Sequence, residues 1–503
     1  MRNFIIPLFV ALLSWSCSTE KQVTKDPNLI YILADDLGYG DVSSFNPDSK
    51  IITPNIDMIA SVGMIFSDAH SGSAVCTPTR YGILTGRYSW RTALKQGVTW
   101  SWDKPLIDSS RLTVASMLKQ KGYSTACIGK WHLGLGWVMD EEKGIADFKQ
   151  ALTAGPNDHG FDYSYIIPAS LDIPPYVYIE NHEITARPDR MTSDTSKFGW
   201  WRKGHTGADF KHEEVLPHLT DKAVEWINMQ AKNQNPFFLY LALPAPHTPI
   251  LPTAEFQGIS NTNPYGDFVV MADHMVGLLM DVLEKNNLVD NTIVIFTSDN
   301  GCSPEADLEQ LASLGHSPGF VYRGHKADIF EGGHRIPFIL KWPDMISPGR
   351  TSVKTISLND LMATMADITG YELPGNAAED SYSMLPILMG QQSDYKRESV
   401  IHHSNNGYFA VRKGKWKLNV CAGSGGWSHP TEIEAAEMGL PWLQLYDLDK
   451  DPGEQKNIAE DHPDIVNELK ELLIKYINEG RSTPGPARNN TPAENWPENK
   501  LKY

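Results

Sequence analysis

A chain of 503 residues, 41% of them hydrophobic and 10% aromatic, has ample material for a buried core and is no low-complexity polymer. Asp and Glu outnumber Lys and Arg by 61 to 44, and the net charge of −17 argues against nucleic acid as a partner, since polyanions are repelled at long range. An anionic substrate must therefore meet a locally positive site. Five cysteines, at 17, 76, 127, 302 and 421, lie far apart without CxxC or zinc spacing, which excludes a disulfide scaffold and leaves Cys127 and Cys302 as small buried hydrophobes.

The N-terminus reads as an address. Arg2 precedes the apolar run FIIPLFVALL, too short to cross a bilayer and suited to a signal-peptide core. Ser14 to Cys17, SWSC, has the small residues and cysteine of a bacterial lipoprotein cleavage site, which predicts a lipid on Cys17. Ser14 stands where an aliphatic residue is commoner, so ordinary signal cleavage stays open. Residues 1–22 are thus a leader for export, to the periplasm or to a lipid-anchored place on the bacterial outer membrane or cell surface. No later segment reaches about 18 uninterrupted apolar residues, so a lipid is the only membrane attachment expected.

Four apolar runs then share one arrangement. NLIYILADD ends in Asp35 and Asp36, YSTACIGKWH in Lys130 and His132, PFFLYLALPAPH in His247, and NTIVIFTSDN in Asp299 and Asn300. Short continuous runs of this kind suit strands buried on both faces of a sheet. Helical patterns lie between them: Thr220 is a candidate cap for DKAVEWINMQAKN, and DFVVMADHMVGLLMDVLEKNN carries apolar residues at helical spacing. The alternation predicts an α/β fold, a large mostly parallel sheet flanked by helices, over residues 23–390. Ligands of such sheets bind beyond the carboxyl ends of the strands, where all four runs place polar residues. From 391 to 480 the pattern becomes short antiparallel strands and one amphipathic helix closed by Gly480, a smaller α+β domain, and the Pro/Asn-rich tail 481–503 reads as an extended wrap or disordered.

Between the first two runs stands SAVCTPTRYGILTGRY. Pro78 suits the first turn of a helix, which puts Cys76 at a helix N-terminus, where free N–H groups and the dipole favour an anion. Arg80, one turn on, is a candidate bidentate fork for sulfate or phosphate oxygens. Asp35, Asp36, Asp299 and Asn300 are hard oxygen ligands, suited to Ca²⁺ or Mg²⁺ rather than zinc.

Cys76-x-Pro78-x-Arg80 followed by Leu84-Thr85-Gly86-Arg87 closely resembles the signature of the type I, formylglycine-dependent sulfatases of the alkaline phosphatase superfamily. LADDLGYGD, GKWHLG, HGFD, PAPHTP, TSDNG, RGHKADIFEGGHRIP and LYDLDKDPGEQKNIA extend the resemblance over roughly residues 27–480 in the family's order; Thr79, where serine is commoner, is the one departure in the signature. The resemblance implies that a separate maturation enzyme oxidises Cys76 to formylglycine (3-oxoalanine), whose hydrate attacks sulfur with one hydroxyl and expels sulfate with the other. It favours Ca²⁺ on Asp35, Asp36, Asp299 and Asn300, with residue 76 completing the set. It makes Lys130 a ligand of sulfate, His132 the base for the second hydroxyl, and His247 and Lys326 sulfate ligands and general-acid candidates. Ser170 falls near a sulfate-binding serine of some members.

Other polar residues read as structural. Glu331 and Arg335 hold the catalytic loop, His159 is buried support, and the His402-His403 pair reads as a solvated surface pair more readily than a substrate subsite. Lys197 to His205, KFGWWRKGH, could platform a sugar ring. The expected activity is therefore hydrolysis of sulfate esters on a sulfated polysaccharide or oligosaccharide. A phosphomonoester or phosphonate hydrolase is the neighbouring reading, disfavoured by the lack of histidines for a two-zinc site. A non-catalytic lipoprotein that binds sulfated glycans is the third, disfavoured because every expected catalytic position is filled.

Overall fold

Strands that are apolar on both faces need cover on both sides, and this is how they sit in the computed structural model, which describes residues 25–492. The leader and the lipid site at Cys17 lie outside the described residues, as does the tail beyond residue 492.

The main sheet has ten strands: β1 (Asn28–Ala34), β2 (Met64–Phe66), β3 (Ser124–Lys130), β4 (Tyr163–Ile167), β5 (Ile179–Glu180), β6 (Glu183–Ile184), β7 (Phe237–Ala242), β8 (Thr292–Ser298), β9 (Phe338–Lys341) and β10 (Arg350–Ser352). Their spatial order is β10-β2-β9-β8-β1-β7-β3-β4-β5-β6. The central run β8-β1-β7-β3-β4 is parallel, and its flanks turn antiparallel at β9 and β5. Alternation along β1 feeds two cores: Ile30 and Ile32 pack under α1 (Pro54–Val62), α3 (Val215–Gln230) and α4 (Pro264–Lys285), while Leu29, Tyr31 and Leu33 pack under α2 (Cys76–Thr85). Each of these β1 side chains is at most 1% exposed, so truncating one to alanine costs about 2–5 kcal/mol.

Parallel pairing brings the carboxyl ends of β8, β1, β7 and β3 to one edge, in register at Thr297, Leu33, Ala242 and Gly129. Gly129 permits that approach: its φ is +110°, and a Cβ there would lie 1.9 Å from the Ala242 carbonyl oxygen. The predicted helix over 221–233 begins earlier, at Val215. Thr220 is therefore interior, not a cap, and its hydroxyl donates back to the Leu216 carbonyl at 2.9 Å. Pro217 is tolerated in the first turn and Val215, Leu216 and Leu219 prolong the buried stripe, so packing moved the start upstream.

A second sheet of four antiparallel strands, β11 (Ser399–His403), β12 (Phe409–Lys413), β13 (Trp416–Val420) and β14 (Leu443–Asp447), packs on α5 (Pro463–Glu479). The chain after Arg481 lies along the body, with Ser482 N donating to Asp380 (3.0 Å) and Thr491 N to the Arg91 carbonyl (2.8 Å).

Candidate active site

Asp35 and Asp36 follow β1, Asp299 and Asn300 follow β8, Lys130 ends β3, and His247 lies beyond β7. All are at most 8% exposed. Helix α2 enters from the side with Cys76 as its first residue, capped by no side chain, so its first N–H groups face the same edge. Lys326 is fixed by backbone bonds on either side: its N–H donates to the Cys302 carbonyl (2.9 Å) and that of Ala327 to Ala74 (2.8 Å). Asp36, His132 and Ala327 have positive φ (63°, 54° and 79°), a cost of about 1–3 kcal/mol each that aims their neighbours at one point.

The contacts there are short. Lys130 Nζ meets Asp35 Oδ2 at 2.6 Å and Lys326 Nζ meets Asp36 Oδ2 at 2.7 Å. Cys76 Sγ lies 3.7 Å from Asp35 Oδ1, and His247 Nε2 lies 3.6 Å from Asp36 Oδ2. Asn300 donates to Asp36 Oδ1 at 2.7 Å. A cavity of about 300 Å³ opens onto Cys76, His132, Ser170, His247 and Lys326.

Burial raises the Asp35 carboxyl, but Lys130, His247, Arg80 and Lys326 together hold it well below the usual range. Burial and the charge of Asp35 push Asp299 up to about 6. Burial opposes the charge on Lys326, yet Asp36 keeps its ammonium protonated far above neutrality. His132 goes the other way: burial, then Lys130 and Arg80, hold it well below its normal value, so the ring is neutral. Its Nε2 lies 3.0 Å from the Thr99 carbonyl, which only accepts, so Nε2 carries the proton. Nδ1 is buried without a partner, an available lone pair. Burial pushes the Cys76 thiol up to about 12, leaving roughly one part in 10⁴ or less as thiolate near neutral pH. The thiol itself is a poor nucleophile here.

Three carboxylates, Asp35, Asp36 and Asp299, face three cations, Arg80, Lys130 and Lys326. The set is neutral, so a divalent cation with a sulfate monoester anion leaves one positive charge, and with the sulfate dianion of the product none, in a buried place. The donors suit a hard cation: carboxylate oxygens and the Asn300 side-chain oxygen, which is buried and without a hydrogen-bond partner.

The structure corrects several expectations. Arg80 is no free fork for substrate. Its Nε and Nη2 hold Asp299 Oδ2 (3.1 and 2.7 Å), Nη1 reaches the Lys130 carbonyl (3.1 Å), and it lies beneath the site as a clamp on the acids. His402 and His403 are not solvated: they are 0% and 2% exposed, because β11 is covered on both faces, and His402 Nε2 meets His70 Nδ1 at 3.0 Å away from the cavity. In KFGWWRKGH the two tryptophans part: Trp200 lines a second cavity of about 320 Å³, while Trp201 stacks on His212 at 4.0 Å. Glu331 and Arg335 bond to each other (3.1 Å) outside the cavity. Sequence reasoning passed over Trp100, Asp172 and Trp427, which also line these cavities; only Asp172, just after Ser170, stood beside a recognised residue.

A helix N-terminus, buried lysines and histidines and a cluster of hard oxygen donors meet at the strand ends of this α/β sheet, the alkaline phosphatase-like architecture of hydrolases that act on tetrahedral oxyanion esters. The chain belongs to the sulfatase family, whose signature matches residues 27–371, and is a sulfuric ester hydrolase. It is 36% identical to an N-acetylgalactosamine-6-O-sulfatase of Bacteroides thetaiotaomicron, over 90% of this chain and 93% of that protein. It is 31% identical to human arylsulfatase A, over 93% of this chain and 91% of that protein. A solved Bacteroides thetaiotaomicron sulfatase, described with the metabolism of multiple glycosaminoglycans, superimposes with a TM-score of 0.79 at 35% identity, covering 90% of this chain and 99% of that one.

Proposed function

We propose that the protein removes sulfate from a sulfated sugar, using Ca²⁺ and a formylglycine made from Cys76. The observation that carries the sugar is the second cavity. It shares Asp172, Arg202, His247, Lys326 and Trp427 with the catalytic one, so a leaving group held there has its ester oxygen beside His247 and Lys326. Trp200 and Trp427 offer ring-stacking faces, and Arg202 lies over Trp100 and Trp200 at 5.2 and 5.0 Å. Asp172 is ion-paired to Arg202 through Oδ2, while its Oδ1 is buried without a partner, ready to accept a hydroxyl. The similarity to an N-acetylgalactosamine-6-O-sulfatase supports a 6-O-sulfated hexosamine or hexose as that sugar.

Formylglycine hydrate supplies the attacking hydroxyl and a second hydroxyl that expels sulfate. Asp35, Asp36, Asp299 and Asn300, with residue 76, would hold Ca²⁺, which would supply positive charge for the sulfate oxygens. The chain's own groups move the protons. Lys130 and Lys326 hold sulfate by charge, and Lys326 stands with His247 where the ester oxygen leaves. His247 Nδ1 donates to the Thr248 carbonyl at 2.5 Å, so in the imidazolium form its Nε2–H is the proton given to that oxygen. His132 Nδ1, the unpartnered lone pair, takes the proton of the second hydroxyl.

The test is a panel of defined sulfated oligosaccharides given to protein made with a formylglycine-generating enzyme. Sulfate release from 6-O-sulfated sugars, lost on chelation and restored by Ca²⁺, with residue 76 lighter by the thiol-to-aldehyde difference, is the expected result. Full turnover by protein retaining the thiol, or turnover of phosphate esters alone, would overturn it.

A further inference from the structure

The loop 92–106 has two sides. Gly97, Val98 and Trp100 face the catalytic cavity, whereas Leu94, Asp103, Lys104 and Leu106 face another of about 700 Å³, closed opposite by residues 376–379 and by the tail at 488–491. Nothing in the chemistry above uses it.

Its floor is Arg87 and Glu379, 4% and 1% exposed. Glu379 is spent: Arg111 Nη1 donates to both its oxygens, at 2.8 and 3.0 Å. The other two carboxylates on the wall are also engaged locally. Asp103 accepts from Trp100 N (2.7 Å), and Asp108 accepts from Ser110 N and Oγ (2.8 and 2.5 Å). The basic groups outnumber them. Arg87 donates through Nη2 to the carbonyls of Arg91 (3.4 Å) and Asn489 (3.2 Å), and its buried Nε, without a hydrogen-bond partner, lies 3.5 Å from Glu379 Oε1, so Arg87 and Arg111 share that one carboxylate. Lys104 and Arg488 stand at the rim. Just behind, Lys95 is pushed down to about 8 by burial and by Arg87 and Arg91, a sign of positive potential in a chain of net charge −17.

Two guanidiniums on one buried carboxylate, in a cavity whose other acids are engaged locally, leave a positive charge that calls for an anion. The volume is far more than a bare ion fills and falls in the range of small-molecule sites. Tyr81, Pro105 and Leu106 give apolar faces, while Ser110, Asn376 and Asn489 give hydroxyl partners. We propose that this cavity is a second saccharide site, binding an acidic sugar with its sulfate or carboxylate on Arg87 and its ring against Tyr81 and Leu106. It is distinct from the catalytic pocket and does not depend on what that pocket hydrolyses.

Equilibrium titration tests this, using full-length protein carrying Cys76→Ala so that no turnover intrudes. A chondroitin sulfate tetrasaccharide should bind, and adding Lys104→Glu with Arg488→Glu should weaken binding about tenfold, in line with the loss of a charge-assisted contact. Adding His247→Ala should leave one such site intact. On a Cys76 background the two rim changes should leave aryl sulfate turnover and melting temperature unchanged, and Lys285→Glu, on α4, serves as the charge control. Unaltered affinity in the rim variant, loss of all binding with His247→Ala, or binding of inorganic sulfate as tight as the tetrasaccharide would overturn the proposal. Failure of the panel of sulfated sugars would leave this result untouched.

Discussion

Two clusters among the described residues bury three acids against three bases, and only one of them reaches a cavity. At the strand ends Asp35, Asp36 and Asp299 meet Arg80, Lys130 and Lys326. At the seam between the main sheet and the C-terminal one, Asp68, Glu331 and Glu454 meet Arg335, Arg412 and Lys417. No member of either set is more than 8% exposed, so burial does not tell them apart. Access does. Lys326, with Cys76, His132 and His247, lines a cavity, whereas the seam residues tie segments 68–71 and 331–335 to β11, β12 and β13. Even the geometry of ligation misleads, because His70, Glu331 and His402 come as close together as Asp35, Asp36, Cys76 and His247 do. Lys417 Nζ stands 3.1 Å from Glu331 Oε1, where a metal would have to compete with it.

Substitution at one acid in each cluster sharpens this contrast most. Asp299→Asn takes the carboxylate from buried Arg80 and so costs stability as well, and its folded fraction should lose turnover by about 10³-fold or more, the scale of losing an essential electrostatic group. Asp68→Asn should cost stability alone. It leaves Arg335 and Arg412 with Glu331 as their one shared carboxylate in a closed place, a loss of about 3–5 kcal/mol, while the folded fraction keeps its kcat. Denaturant midpoints and kcat measured on both variants decide it. A stable but inactive Asp68→Asn protein would merge the two clusters into one functional unit.

Within the catalytic cluster the two histidines should separate by leaving group. General-acid help is worth about 10²–10⁴-fold and is needed least when the departing alcohol is already stable. His247→Ala should therefore impair a sulfated sugar far more than an activated aryl sulfate. His132→Ala should slow both, with a rapid-quench burst of about one alcohol per enzyme before turnover stalls, because departure of the alcohol precedes the step that needs this base. Equal losses for both substrates in His247→Ala, or no burst in His132→Ala, would reverse the roles.

The strand-end residues were legible because each terminates a continuous apolar run, and parallel pairing then leaves them only one edge to share. Arg80 was legible in place but not in role. Sequence spacing says that it lies one turn into a helix, not that the helix is buried along its whole length and turns the guanidinium onto Asp299. His402 and His403 were misread because adjacent residues on a strand point to opposite faces, and covering both faces is a tertiary event with no local signal. Trp100, Asp172 and Trp427 come from separate loops and Arg202 from the strand Trp201–Gly207, and they meet only in the folded chain.

The smallest effect belongs to the seam and to pH. His70 is fully buried between Asp68, Glu331, Arg335, Arg412 and His402, and burial above all holds its imidazole down at about 4. In the unfolded chain a histidine titrates near 6.5, so as pH falls the unfolded state takes up the proton first. The stability this neutral ring allows is fully present above about pH 6.5 and drains away as pH drops toward 4, by about 3 kcal/mol for a shift of this size. His334 and His402 are displaced in the same direction by burial and add to the slope. Urea midpoints between pH 7 and 4.5 should therefore fall more steeply for the native protein than for His70→Gln, which keeps a hydrogen-bonding side chain but cannot titrate. Carboxylates elsewhere titrate in both proteins and cancel in the difference. Parallel slopes would mean that His70 takes up its proton in the fold as readily as in the unfolded chain, so that the seam turns net positive within this range.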